Sequence, residues 1–203
     1  MIRYFVTATV LAGWAGAAIA GSPLCASPEQ VGKVQPLYAQ APMPPTFMAA
    51  TRLGISEALV ASAIAGKQAI GTTGAGFDAV WKSLQEWDDA TVLVLKGGQV
   101  FEVHGRIPPG APSAKSQFFN LNEDAAGLGG HLRPDLVSAI YAVDLAGPEG
   151  PVRGLTFLDA AGEGVFGVYL PEGAERKPAL VAQFEKTRAL IASLPRVCGQ
   201  PAL

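Results

Sequence analysis

Between Thr91 and Leu170 the chain passes through six short stretches of strand-like composition, and the gaps between them carry turn residues rather than a helical pattern. Parallel strands need a long crossover, usually a helix, so this run predicts antiparallel pairing. The clearest pair is Thr91-Val-Leu-Val-Leu95 and Val100-Phe-Glu-Val-His104, which flank Lys96-Gly97-Gly98-Gln99. A Gly-Gly centre suits a two-residue hairpin turn, because both positions can take positive φ. In that register Leu95 faces Val100 and Thr91 faces His104, and Leu93, Leu95, Val100 and His104 share one sheet face. The remaining strands are expected at Ser116–Leu121, Val137–Val143, Val152–Leu158 and Gly164–Leu170, with Ala160 to Gly162 as the turn joining the last two.

Helical patterns flank this run. Phe47, Met48, Leu53 and Ile55 lead into Ser56, an N-cap for a helix from Glu57 to Ile64. Phe77, Val80, Trp81 and Leu84 recur at helical spacing in a stretch reaching Trp87. Pro178 opens a last helix with an apolar stripe of Leu180, Val181, Phe184, Leu190, Ile191 and Leu194, and Pro195 stops it. Helices, then antiparallel strands, then a helix define an α+β fold with an antiparallel β-sheet core. Residues 21–45 carry Pro23, Pro28, Pro36, Pro42, Pro44 and Pro45 without sustained periodicity, and read as an extended linker or a strap.

Residues 1–20 stand outside this scheme. Arg3 gives a positive start, Tyr4 to Ile19 is uncharged and mostly apolar, and Ala18-Ile-Ala20 is a cleavage pattern. The expectation is a signal peptide cut after Ala20, and a periplasmic or secreted protein. The apolar run is short for a membrane span and no second span follows, so no stable membrane insertion is expected. Cleavage removes Arg3 and no acid, moving the formal net charge from −2 to −3. No basic surplus exists to neutralise phosphates, which argues against nucleic acid as a partner. The segment Ala49 to Val60 imitates a helix-turn-helix, but Ser56 to Ala65 has no Lys or Arg. Two His and two Cys exclude a zinc finger or an iron–sulfur cluster. In an oxidising compartment Cys25 and Cys198, at opposite ends of the domain, form a plausible disulfide. Residues 196–203 form a tail holding Cys198.

The segment Gly127-Leu-Gly-Gly-His-Leu-Arg-Pro-Asp135, followed by Ala139-Ile-Tyr-Ala-Val143, resembles the HutX/ChuX haem utilisation carrier family, which is related to the haem-handling HemS group. Other pieces follow in the family's order: Leu53-Gly-Ile-Ser-Glu57, Phe77-Asp-Ala-Val-Trp81, Glu86-Trp87, Val100-Phe-Glu-Val with Gly105 and Pro108, and Phe118-Phe-Asn-Leu121. The resemblance spans about residues 46–195. It implies an α+β protomer, usually homodimeric, that binds haem and passes it on to haem transport components. Two features depart from the family: the export signal, and the absence of the histidine that often ends the strand ending here in Leu95.

Haem iron takes an imidazole or phenolate in an apolar slot, with cations near the propionates. His131, which matches the second family histidine, is the candidate metal ligand and is expected in a Gly-rich turn. Tyr141 is either a ligand or a core aromatic. Arg133 and Arg106 are candidates for the propionates, and Phe101, Phe118 and Phe119 for the porphyrin walls. His104 lies about 13 Å along the strand from the missing ligand and reads as a solvent-facing side chain. The Gly127–Gly130 glycines lack a Walker lysine, and no nucleophile elbow is present. The expected function is a non-enzymatic haem carrier or scavenger outside the cytoplasm, with b-type haem as reversibly bound cargo. The alternatives are a fold that has lost haem binding and a haem-degrading enzyme.

Overall fold

The computed structural model describes residues 22–66, 68–96, 99–122 and 127–199. In chain order the helices are α1 (Pro28–Val34), α2 (Thr46–Leu53), α3 (Glu57–Ala63), α4 (Phe77–Leu84) and α5 (Pro178–Ser193). The strands are β1 (Ala69–Thr73), β2 (Ala90–Lys96), β3 (Gln99–Gly105), β4 (Gly110–Pro112), β5 (Phe119–Leu121), β6 (Gly130–Leu132), β7 (Ala139–Ala146), β8 (Pro151–Leu158) and β9 (Gly164–Tyr169). A six-stranded sheet runs β1-β7-β8-β9-β2-β3, every neighbour antiparallel. A three-stranded sheet runs β4-β5-β6. The α+β class with an antiparallel core is therefore the fold observed.

The large sheet is buried on both faces at its centre, and β7 shows how. Ile140 and Ala142 enter one core with α4, α5 and the small sheet. Ala139, Tyr141, Val143 and Leu145 enter a second core with α1, α2 and α3. Strands covered on both sides read as apolar runs rather than alternating ones. The first core is aromatic: the rings of Phe77 and Trp81 stack at 5.7 Å, and Phe119 meets both edge-on. In the second core Gly71 on β1 faces Tyr141, and a Cβ there would fall 2.4 Å from that ring, so only glycine fits.

The hairpin register is the one expected: Leu95 pairs with Val100 and Thr91 with His104. Its turn, Gly97-Gly98, lies outside the described residues, as do residues 1–21 with the signal-peptide expectation. Ser56 caps α3 through Leu59 N, and Pro178 opens α5.

Several expectations need correction. Part of the stretch read as extended linker or strap is α1, held by a capping box in which Ser27 and Gln30 exchange side-chain to backbone bonds. Val34 and Tyr38 from this region are buried in the second core. Ser116–Phe118 is not strand, so only Phe119–Leu121 remains of that element. Val137–Ser138 precedes β7, which begins at Ala139. Strands β1, β4 and β6 were not expected. One expectation in this region holds: Cys25 and Cys198 are joined as a disulfide spanning 173 residues, which ties the segment before α1 to the segment after α5.

Candidate functional site

His131 sits on β6, not in a turn. Gly130 opens that strand at φ 134°, a backbone state that glycine adopts at little cost, and Pro134 follows shortly after its end. Leu132 packs toward the first core, so strand alternation turns His131 outward, where it is exposed. Its register partner on β5 is Asn120. His131 Nδ1 lies 2.8 Å from Asn120 Oδ1. An amide oxygen only accepts, so Nδ1 carries the hydrogen and, in the neutral ring, Nε2 keeps its lone pair.

The Phe118 ring lies 5.7 Å from the His131 ring, tilted by 53°. Arg133 holds its guanidinium 5.8 Å from the Phe118 centroid. The Arg133 Nε and Nη2 groups donate to the two Asp135 oxygens at 2.7 and 2.5 Å. That pairing raises the Arg133 guanidinium above its ordinary range and holds the Asp135 carboxyl below its own. Asp135 thus takes two of the five donors of the fork and fixes its plane. Phe118 is 42% exposed, so its ring presents apolar surface beside the imidazole.

His131, Phe118 and Arg133 therefore come together, and the structure adds Asn120 and Asp135. The other candidates lie elsewhere. Tyr141 is fully buried in the second core, and its hydroxyl donates toward Cys198 Sγ at 3.7 Å. Burial pushes its phenol well above the ordinary value, against formation of a phenolate. The structure thus places Tyr141 as the core aromatic of the two readings left open for it. Arg106 follows β3 and lies 3.9 Å from Asp88. Phe101 is on the large sheet opposite Val94 and is 59% exposed. Phe119 belongs to the first core. His104 is exposed as expected, with Nδ1 3.1 Å from Thr91 Oγ1 and Nε2 3.7 Å from Glu102. Among the described residues no three His, Cys, Asp or Glu side chains are grouped to hold a metal ion by themselves. No helix among them is long and apolar enough to cross a membrane.

The fold itself is shared with solved structures of haem-handling proteins. ChuX, a haem-binding protein, superposes with a TM-score of 0.68 at 20% identity, over 78% of this chain and 97% of that one. The haem oxygenase ChuS of E. coli superposes at 0.63 and 16% identity, over 82% of this chain and 50% of its own. The chain belongs to the ChuX/HutX haem utilisation family, whose model matches residues 71–187. Its sequence is 28% identical over 140 residues to the intracellular heme transport protein HutX of Vibrio cholerae, covering 67% of this chain and 70% of that protein.

Proposed function

We propose that this protein is a carrier that binds b-type haem reversibly outside the cytoplasm, with His131 as axial ligand. The observation that carries the site is the Asn120 to His131 contact, which leaves Nε2 with a lone pair on an exposed, partly apolar surface. Phe118 offers a wall to the porphyrin. Arg133 has donors left for a propionate after Asp135 has taken two. Apolar burial of the macrocycle supplies most of the affinity, and a single axial ligand with an open side permits release. A homodimer and haem transport components are the proposed partners.

The N-terminal segment supports a place outside the cytoplasm, and so does the Cys25–Cys198 disulfide, since such bonds persist where the medium oxidises. Cell fractionation with N-terminal sequencing tests this; recovery from the cytoplasm with Met1 intact overturns it.

Hemin titration of residues 21–203 tests the function. One saturable Soret shift per protomer is expected, lost in His131→Ala and retained in His104→Ala. No saturable shift means that the fold has outlived the ligand. Adding ascorbate and O₂ to the complex tests the degrading alternative, since a carrier leaves the porphyrin intact.

A further inference from the structure

Helices α1, α2 and α3 do not cover the whole of their sheet face. Where α2 begins, Pro45 and Phe47 stand above β9, β2 and β3 and wall a cleft. One end of it, about 360 Å³, is lined by Phe47, Leu95, Val100, Glu57, Glu163 and Gly164. This is the sheet face opposite the first core, so the cleft is separate from the small sheet that bears His131.

Glu57 is the unusual member. Its residue is only 4% exposed, yet it borders the cleft. Oε1 accepts hydrogen bonds from Thr46 Oγ1 at 2.6 Å and Thr156 Oγ1 at 3.2 Å. Oε2 points to Gly164, where a Cβ would lie 2.6 Å away, so the missing side chain leaves that oxygen its space. Burial does most to push this carboxyl above its usual range. The Thr46 and Thr156 hydroxyls oppose the shift, and the charge of Glu163 adds to it. Two carboxylates thus border one end of the cleft, beside the apolar Phe47, Leu95 and Val100 and the polar Thr51 and Gln99, and one of the two is anchored from beneath. Lys96 lines the same end and is exposed.

We propose that this cleft binds an organic cation, an ammonium or guanidinium on an apolar stem, with Glu57 Oε2 and Glu163 as counter-ions and Phe47, Leu95 and Val100 as walls. A cation between the two acids offsets both their repulsion and the burial of Glu57. Two carboxylates alone are a poor cage for a divalent metal ion, which takes six or more oxygens or keeps several waters. They also repel a propionate, so the site does not depend on the haem reading.

The test follows amide resonances of the full mature chain by NMR during titration with hexylammonium chloride, with hexanol as the neutral counterpart. Saturable shifts around Thr46, Glu57 and Gly164 are expected for the amine and not for the alcohol. Glu163→Gln, at an exposed position, and Gly164→Ala, which crowds Oε2, are each expected to weaken binding about tenfold, the loss of one charge-assisted hydrogen bond. Both variants should keep the wild-type spectrum elsewhere and the wild-type hemin titration. Equal binding of hexanol, no saturable shift, or unchanged affinity in Gly164→Ala overturns the proposal. A peptide carrying one lysine between leucines separates the sources: binding tighter than the free amine assigns the cation to a protein partner, and equal binding assigns it to a small amine.

Discussion

Asn120 Oδ1 lies 2.8 Å from His131 Nδ1 across the β5–β6 pair. The contact decides which imidazole nitrogen is available, because a donor at Nδ1 leaves the Nε2 lone pair for the iron of the proposed haem complex. Asn120→Ala is expected to let the two tautomers mix, visible in the ¹⁵N shifts of the ring. Hemin affinity should fall by about ten- to a hundredfold, the usual effect of removing a partner behind a metal-bound histidine. An unchanged tautomer ratio would show that the strand alone orients the ring.

This relationship also marks the limit of what the sequence made legible. The hairpin register followed from Gly97-Gly98, and α3 and α5 from Ser56 and Pro178, because each signal is local. Strand β6 has three residues, and its pattern Gly-His-Leu has no strand signature without β5 beside it. Asn120 could be paired with His131 only once that register existed. Helix α1 hid behind the prolines, although Ser27 and Gln30 spell its capping box, because Pro28 at the first helical position looks like linker composition. An apolar run such as Ala139–Val143 does not say which face meets which core, so the sequence alone leaves Tyr141 between two roles.

Thr187 on α5 satisfies three groups with one hydroxyl. It donates to Gln183 O at 3.1 Å, accepts from Trp87 Nε1 at 3.0 Å and lies 2.7 Å from Ser83 Oγ, joining α4 to α5 in a buried setting. Thr187→Val keeps the volume but leaves the indole N–H and the serine hydroxyl without this partner. The expected cost is about 2–4 kcal/mol of unfolding free energy. Urea denaturation measures it, and the double change with Ser83→Ala should cost less than the two single changes added together.

The Cys25–Cys198 bond closes a loop of 173 residues. In the chain-entropy account, removing it costs about 5 kcal/mol, and measured losses usually fall at or below that. Replacing both cysteines with serine is expected to lower Tm by about 10 °C. Because Leu24 and Val197 pack on the second core, the loss should first show as faster amide exchange in α1. An unchanged exchange pattern would mean that core packing, rather than the covalent link, holds the two ends.

Glu57 makes stability depend on pH with a definite sign. Its folded pKa is raised above the ordinary carboxylate value, chiefly by burial. A raised carboxyl means that the folded chain holds its proton more tightly than the unfolded chain. The resulting stabilisation is complete below the unfolded pKa and is lost as pH rises through the folded one. Asp135, held low by Arg133, acts the opposite way: its contribution is complete above its unfolded pKa and is lost as pH falls through the folded one. The comparison must therefore be made against a variant. Glu57→Gln, which keeps an acceptor for the Thr46 and Thr156 hydroxyls, is expected to lose relative stability in acid and regain it as pH climbs above 4.5. Denaturation midpoints of the two proteins at pH 4, 6 and 8 measure the difference; parallel curves would show that Glu57 titrates alike in the folded and unfolded chains.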